Sequence, residues 1–208
     1  MERTLYHYWR SSCSWRVRWA LELKGCSYES HAVNLLESQQ LSDDYLRLNP
    51  MGLVPAMVVD GVPIGDSIAI IEYLEEAFPF PPLLPLKALD RAHVRQLANI
   101  VASGIQPIQN LAVMRKHHPE KAEQVAWCRH WIDKGLKAFE RLATPKAGNF
   151  SFGDEITLAD LCLIPQVYNA KRFKLDMSDY PLLNSIYERS LALPSCDAAA
   201  PHNQPGAT

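Results

Sequence analysis

The chain has 208 residues, which suits one large domain or two small ones. Hydrophobic residues make up 48% and charged residues 21%, so the composition allows a globular core and excludes wholesale disorder. The formal net charge is −2 and no run is rich in Lys or Arg, which argues against a nucleic-acid partner. No apolar run is long enough to span a bilayer, and the first residues lack the pattern of a signal peptide. We therefore expect a soluble, cytoplasmic protein with no membrane partner.

The cysteines and histidines do not have the spacing of a disulfide framework or a metal site. The five cysteines are an odd number and no two are close in sequence. His117 and His118 precede Pro119, so they indicate a helix end rather than ligands at i and i+4. We expect no bound metal.

The first 77 residues alternate strand-like and helix-like segments. The strand–helix–strand start implies a right-handed crossover with parallel pairing. The Asp60-Gly61 dipeptide is typical of a hairpin turn, which adds an antiparallel edge. The predicted elements are, in chain order, a strand in TLYHYW, a helix in SWRVRWALELK that ends at Gly25, a strand in SYESHAVNL, a helix in SDDYLRLN capped by Ser42, two strands in PAMVVDGVPI and a helix in DSIAIIEYLEEAF.

A proline-rich segment, FPFPPLLP at residues 78–85, predicts a stiff extended linker. After it the pattern is entirely helical, and Thr157 with Asp160 has the spacing of a capping box. From residue 193 the chain is small, polar and proline-bearing, which predicts a loose tail. The predicted helices run from about Leu89 to Lys116, from Pro119 to Leu142, from Thr157 and from near Pro181. The predicted domains are 1–78, a linker at 79–88, a helical domain at 89–192 and the tail at 193–208.

The segment RSSCSWR, residues 10–16, lies where the first strand gives way to the first helix. One interpretation is that its serines cap the helix. The other is an anion site, because a helix start exposes N–H groups with partial positive charge and serine hydroxyls add donors. A thiolate is such an anion, and one hydroxyl bond worth about 1.5–3 kcal/mol makes a thiol of ordinary pKa largely ionised at neutral pH. These residues alone leave both interpretations open.

Two further dipeptides are candidate ligand contacts. Val54-Pro55 begins a strand, where a cis bond would expose the Val54 backbone N–H and C=O to a peptide-like ligand. Asp66-Ser67 opens a helix, where it either caps the helix or helps to hold a carboxylate, with Asp66 facing an ammonium group.

Together these segments resemble the zeta class of glutathione transferases. The resemblance implies an α/β thioredoxin-like N-terminal domain and an all-α C-terminal domain, which is the glutathione transferase fold. It also implies a cis Val54-Pro55 bond, a homodimer and an active site in the cleft between the domains. It extends to about residue 192 and is carried by RSSCSWRVRWALELKG, NPMGLVPAMVVDG, DSIAIIEYLEE, GIQPIQNLAV, GDEITLADLCLIPQVYNAKRFK and the proline linker.

The resemblance places the catalytic serine at Ser11, with Ser12 and Cys13 beside it. Cys13 could form a mixed disulfide, as in cysteine-type relatives, but two serines precede it and Ser11 lies nearest the strand end, so we expect Cys13 to tune the site. Asp66 departs from the glutamine expected before the serine, so glutathione affinity could differ. The implied cofactor contacts are Ser11, Gln40, Val54, Pro55, Asp66, Ser67, Gln106, Asn110 and Leu111, and the implied substrate contacts are Arg172 and, as the next candidate, Arg16.

The implied activity is a glutathione-dependent cis–trans isomerisation of maleylacetoacetate to fumarylacetoacetate, in tyrosine and phenylalanine catabolism. Glutathione acts as a cofactor because it is returned unchanged. The alternatives are isomerisation of maleylpyruvate, another zeta-class transferase activity on α-halo acids, or a binding module without activity. The presence of Ser11, Val54-Pro55 and Ser67 argues against the last of these.

Overall fold

The computed structural model describes residues 1–118 and 120–207, and these residues form two compact units. Unit 1 combines Met1–Pro82 with Ala192–Thr208, and unit 2 is Leu83–Leu191. The strands are β1 (Arg3–His7), β2 (Glu29–Ala32), β3 (Ala56–Val59) and β4 (Val62–Gly65). The α-helices are α1 (Ser12–Leu23), α2 (Asp43–Leu48), α3 (Ser67–Ala77), α4 (Ala88–Asn99), α5 (Leu111–His117), α6 (Lys121–Ala143), α7 (Leu158–Arg172), α8 (Pro181–Leu191) and α9 (Pro194–Ala199).

Unit 1 contains a four-stranded sheet in the order β2-β1-β3-β4. β1 and β2 are parallel, with Thr4 opposite Glu29, while β1–β3 and β3–β4 are antiparallel. The predicted parallel pairing of the first two strands and the predicted antiparallel hairpin are therefore confirmed. Asp60 and Gly61 both have positive φ at the turn between β3 and β4, as a tight hairpin requires.

Helix α1 is buried on all sides over Ser14–Leu21, including Trp15 and Trp19. Gly25 follows its last turn with φ +61, a conformation that favours glycine, which explains why the helix ends there. The buried Lys24 ammonium donates to Glu75 Oε2 at 2.9 Å and to the carbonyls of Phe78 and Pro81 at 2.7 and 3.0 Å. The C-terminal end of α1 is thereby joined to the end of α3 and the proline-rich segment.

The predicted loose tail is wrong, because Pro194–Ala199 forms α9, which packs on α1 within unit 1. Cys196, Ala199 and Ala200 are almost completely buried. Their small side chains allow a close helix contact, and Pro194 at the first turn is compatible with a helix start. The composition was misleading because small residues are typical of both exposed tails and tight packing.

The proline-rich segment has neither helix nor strand, but it bends several times rather than forming one extended run. Its Leu83 and Leu84 are buried, and the Phe80-Pro81 bond is cis.

Unit 2 is organised around α7, whose residues from Leu158 to Val167 are all buried. The capping box at its start is confirmed, because the N–H and hydroxyl of Thr157 donate to Asp160 Oδ2 at 2.8 and 3.0 Å. Complete burial raises the pKa of Asp160, although the Ser151 N–H, which donates to Oδ1 at 2.8 Å, acts in the opposite direction.

The long helix predicted from Leu89 to Lys116 is wrong, because the chain is interrupted after α4. Ile100–Ile105 forms a π-helical turn, and residues 106–109 form turns before α5 begins. Pro107 explains the break, since it has no N–H to donate and its ring clashes with the preceding turn. The helix predicted from Pro119 is α6, and Pro119 itself lies outside the described residues.

Within residues 1–118 and 120–207, no helix is both long and apolar enough to cross a membrane.

Candidate functional site

The first part of the site is the turn between β1 and α1. Ser11 is the N-cap of α1, and its Oγ accepts a hydrogen bond from the Ser14 N–H at 3.2 Å. The Ser11 N–H in turn donates to the Tyr8 carbonyl at 3.1 Å. Ser11, Ser12 and Cys13 are half-buried, so they are accessible at the positive end of the helix dipole. The capping interpretation is confirmed, and it leaves the hydroxyl hydrogen of Ser11 available to donate.

The second part is the loop that leads into β3. The Leu53 carbonyl accepts hydrogen bonds from the Tyr45 hydroxyl at 2.6 Å and from Asn49 Nδ2 at 2.7 Å. These two bonds fix the chain just before Val54-Pro55, whose peptide bond is cis, as predicted. Among the described residues, the backbone N–H and C=O of Val54 have no hydrogen-bond partner. The loop therefore presents one unsatisfied peptide edge.

The third part is the start of α3. Asp66 is its N-cap, and Oδ1 accepts from the N–H groups of Ile68 and Ala69 at 2.8 and 3.0 Å. Asp66 has φ +70, a conformation that is strained for a residue with a side chain. Ser67 is 5% exposed, and its hydroxyl has no hydrogen-bond partner among the described residues. The predicted cap is confirmed, and one carboxylate oxygen and one hydroxyl remain for a ligand.

These three parts meet at a cavity of about 400 Å³. The cavity brings together predicted site residues from three separate segments of sequence, Cys13, Val54-Pro55 and Asp66-Ser67. Its lining residues are Cys13, Asn49, Met51, Leu53, Val54, Pro55, Gly65, Asp66 and Ser67. The cavity therefore offers a peptide edge, a carboxylate and a hydroxyl at one helix start, and a thiol at another.

Four predicted residues of unit 1 are not among those that line this cavity. Ser11 and Ser12 lie next to Cys13 in the same turn. Gln40 lies in the 3-10 helix Gln39–Leu41, and its Oε1 is buried with no hydrogen-bond partner in the described chain. Arg16 is 1% exposed on α1, so the structure does not place it at the cavity.

Unit 2 carries the remaining predicted residues. Gln106 and Gln109 both donate through Nε2 to Oε1 of the fully buried Gln166, at 3.4 and 2.9 Å. Asn110 caps α5, since its Oδ1 accepts from the Ala112 N–H at 2.9 Å, and Leu111 is the first residue of that helix. The side chains of α7 thus help to order the segment that precedes α5.

Arg172 is the last residue of α7 and is exposed. Its Nη1 donates to Asn169 Oδ1 at 2.9 Å, and its guanidinium lies 6.0 Å from the Phe173 ring centre. Asn169 is 9% exposed, so the fixed amide restrains the direction of the guanidinium. Arg172 lies about 9 Å along the helix from Gln166, at 1.5 Å per residue.

Comparisons with known proteins agree over nearly the whole chain. The family model of the glutathione S-transferase N-terminal domain matches residues 10–77, and that of the C-terminal domain matches residues 105–198. The maleylacetoacetate isomerase of Rattus norvegicus is 48% identical over 203 residues, which cover 97% of this chain and 93% of the rat protein. A solved maleylpyruvate isomerase, a bacterial zeta-class enzyme, superposes with a TM-score of 0.95 at 44% identity, covering 99% of this chain and 100% of that one. The chain belongs to the zeta class of the glutathione S-transferase family.

A third relative has the ligand in place. The maleylacetoacetate isomerase from Anaeromyxobacter dehalogenans, solved with glutathione in its active site, has a TM-score of 0.90 and 45% identity, covering 100% of this chain and 99% of that one. The fold of this transferase is accordingly the thioredoxin-like unit followed by a helical unit that the resemblance implied.

Three residues of this transferase were missed by the sequence analysis: Asn49, Gln166 and Asn169. Asn49 also approaches Gly65, where an added Cβ would lie 3.1 Å from its side chain. A polar residue just before a proline turn, and polar residues inside an otherwise apolar helix, were the available signals. Neither signal identifies the hydrogen-bond partner of these residues, because each partner lies on another segment of the chain or on the next turn.

Proposed function

We propose that this chain converts maleylacetoacetate to fumarylacetoacetate with glutathione as cofactor. The observation that carries the proposal is the cavity of unit 1, where Cys13, the unpaired Val54 peptide edge and Ser67 meet at two helix starts. Its support is the 48% identity of the chain to the rat isomerase. Isomerisation of maleylpyruvate is the second candidate, favoured by the TM-score of 0.95 to a solved maleylpyruvate isomerase.

The donor set of unit 1 fits glutathione, a tripeptide with two carboxylates, an ammonium group and a thiol. Val54 offers an N–H and a C=O to a peptide group, and the Ser67 hydroxyl with the start of α3 suits a carboxylate. The free carboxylate oxygen of Asp66 suits the ammonium group. The buried Oε1 of Gln40 has no partner in the described chain, and a peptide N–H of the ligand would satisfy it.

Ser11 is the residue that we assign to the thiol. Its Oγ accepts from the Ser14 N–H, so its own hydrogen can point only to another acceptor. When bound, glutathione supplies a thiolate that adds reversibly to the cis double bond and allows rotation about the resulting single bond. Ser11 stabilises the ionised sulfur by donation, and the positive end of α1 adds to this effect. Ser12 and Cys13 complete the polar surface of the same turn.

Arg172 is the residue that we assign to a substrate carboxylate. The substrate is a dianion at neutral pH, and a guanidinium can donate two parallel hydrogen bonds to one carboxylate. Asn169 holds one edge of the guanidinium and restricts its orientation. Gln106, Asn110 and Leu111 of unit 2 stay predicted ligand contacts in this proposal.

The test is cis-to-trans isomerisation followed by ultraviolet absorbance, with and without glutathione, using maleylacetoacetate and maleylpyruvate in parallel. We expect turnover only with glutathione, faster with maleylacetoacetate, while total thiol stays constant. Loss of thiol in step with substrate would instead identify a conjugating transferase. Glutathione binding without turnover of either acid would identify a binding module.

We further propose that the enzyme is a cytoplasmic homodimer. Leu86, just before α4, and Leu89, in its first turn, are 98% and 82% exposed, and a second copy would cover such neighbouring apolar side chains. Light scattering should give twice the chain mass, and Leu89→Lys should shift it toward the monomer. Cell fractionation tests the location.

A further inference from the structure

Arg18 is a completely buried cation on α1 that is held by neutral groups. Its Nε donates to the Ala199 carbonyl at 2.9 Å and its Nη2 donates to the Trp9 carbonyl at 3.0 Å. Its Nη1 donates to His7 Nδ1 at 3.2 Å and lies 3.4 Å from the Tyr8 carbonyl. In the part of the chain that the structure describes, none of these partners is a carboxylate. A buried charge is tolerated only if its donors are satisfied, so each of these carbonyls matters.

The surroundings of Arg18 are neutral at physiological pH. Arginine has donors only, so Nδ1 of His7 must accept, and Nε2 then carries the hydrogen that is donated to Ser30 Oγ at 2.7 Å. Burial, with Arg18 beside it, lowers the pKa of His7 to about 3. Burial also raises the pKa of Tyr28, a second titratable group of the described chain that interacts electrostatically with Arg18.

Two of the Arg18 bonds fix the turn that carries Ser11. The Tyr8 carbonyl accepts from both Arg18 and the Ser11 N–H, and the Trp9 carbonyl accepts from Arg18. The turn between β1 and α1 is therefore held from inside the unit, at the two residues that precede Arg10-Ser11. A shift of these carbonyls would move the Ser11 hydroxyl with them.

The remaining Arg18 bond reaches α9. Ala199, whose carbonyl is the acceptor, is 1% exposed against α1. A second bond, from Trp19 Nε1 to Ser195 Oγ at 3.2 Å, joins the same two helices without involving Arg18. Helix α9 thus supplies one of the acceptors that Arg18 needs, and Arg18 in turn holds the turn that precedes Ser11.

We propose that Arg18 is a positioning residue for Ser11, and that α9 supports catalysis by supplying the Ala199 carbonyl to Arg18. The inference rests on the proposed role of Ser11 in ionising glutathione. It predicts that changes at Arg18 or Ala199 act on kcat, through the thiol, rather than on substrate binding.

The first experiment compares Arg18→Met and Arg18→Lys in the isomerase assay. Arg18→Met removes all the donors, so we expect kcat to fall about tenfold with the KM for maleylacetoacetate within about twofold, and the pKa of bound glutathione to rise by about one unit. Arg18→Lys keeps the charge but not the planar spread of donors, so it should recover only part of kcat. Thiolate absorbance of the glutathione complex reports the pKa, and circular dichroism reports folding.

The second experiment uses two full-length variants of α9 and stays informative if Arg18→Met does not fold. Ala199→Leu places a larger side chain at the buried contact with α1, which displaces the carbonyl from Arg18. Ala198→Leu makes the same change at the exposed neighbouring position and is the matched control. We expect a severalfold lower kcat and a higher glutathione pKa in Ala199→Leu, and wild-type values in Ala198→Leu. In the double variant Arg18→Met with Ala199→Leu, kcat should be no lower than in Arg18→Met, because both changes act on one interaction.

The inference is overturned if Arg18→Met or Ala199→Leu lowers the melting temperature but leaves kcat and the glutathione pKa at wild-type values. Independent, additive losses in the double variant would also overturn the coupling to α9. A wild-type protein without glutathione-dependent isomerisation would contradict the proposed function itself. Wild-type activity that survives Ser11→Ala would remove the role on which this inference rests.

Discussion

The Ser11 hydroxyl has two roles, one as the cap of α1 and one as the proposed donor to the glutathione thiolate. Ser11→Ala removes both the cap of α1 and the proposed donor to the thiolate. We expect isomerisation at neutral pH to fall at least about tenfold, which corresponds to about 1.4 kcal/mol, and bound glutathione to titrate at higher pH. Loss of the cap should also lower the free energy of unfolding by about 1 kcal/mol. Steady-state rates, thiolate absorbance and urea unfolding measure the three effects.

Ser42→Ala is the matched control for the cap. Ser42 caps α2 by accepting from the Tyr45 N–H at 3.3 Å and has no proposed chemical role, so Ser42→Ala should lower the free energy of unfolding but leave activity unchanged.

Cys13→Ala should retain measurable isomerisation, because glutathione supplies the reacting sulfur. A fully active Ser11→Ala would transfer the role to Ser12 or Cys13. An inactive Cys13→Ala, with a protein–glutathione disulfide in the native enzyme, would reverse the assignment.

Arg172 gives a test that separates the two ligands. Arg172→Ala should raise the KM for the diacid by about tenfold or more, since a charge-assisted hydrogen bond is worth about 1.5–3 kcal/mol. Arg172→Lys should recover part of the loss, because lysine keeps the charge but cannot donate two parallel hydrogen bonds to one carboxylate. Glutathione affinity, measured by calorimetry, should change little in either variant. Equal weakening of both ligands would show that Arg172 is structural or binds glutathione.

At the scale of elements, α3 shows how one residue can both cap a helix and face a ligand. Asp66→Asn keeps a side-chain oxygen for the N–H groups of Ile68 and Ala69 but removes the charge. We expect unfolding stability to change by less than about 0.5 kcal/mol, because Asn and Asp are comparable caps. Glutathione affinity should fall severalfold if the carboxylate meets the ammonium group. Calorimetry measures the glutathione affinity and urea unfolding measures the stability. An unchanged glutathione affinity would show that Asp66 serves only as the cap of α3.

The predictable elements are those whose determinants lie within a few residues. Gly25 as a helix end and Asp60-Gly61 as a hairpin each depend on local backbone geometry, so the sequence alone predicted them. Capping by the serines of residues 10–16 was one of two interpretations that the sequence left open, and the structure identifies Ser11 as the cap. Pro107 was a local signal too, but the apolar periodicity on both sides of it obscured the break.

The parts that were missed depend on partners far apart in sequence. Gln166 meets Gln109, which lies 57 residues earlier, and Arg18 meets Ala199, which lies 181 residues later. Nothing near Arg18 distinguishes a buried arginine from a solvated one. The fold of α9 was missed for the same reason, since its small residues acquire meaning only against α1.

For the molecule as a whole, His7 predicts that the free energy of unfolding falls as the solution is made acidic. Its pKa is about 3 in the fold, against an ordinary value of 6.5, so the unfolded chain binds a proton in this range that the folded chain does not. The stabilisation is complete above pH 6.5 and is lost as the pH falls toward 3, by about 1.4 kcal/mol per pH unit from this group. Denaturant titrations of the wild type and His7→Asn between these limits should converge at low pH.

A His7→Asn protein with the same pH slope as the wild type would show that His7 is protonated in the fold or that water reaches it.

Unit 1 is assembled from the first and the last parts of the chain, with unit 2 between them. A ribosome therefore has to make all of unit 2 before α9 exists, and until then Arg18 lacks its third carbonyl acceptor, that of Ala199. During that interval the Nε donor of Arg18 on α1 has no Ala199 carbonyl to bind. A chain cut before Pro194 would lack this acceptor, so the docking of α9 on α1 is the step that completes the donor set of Arg18.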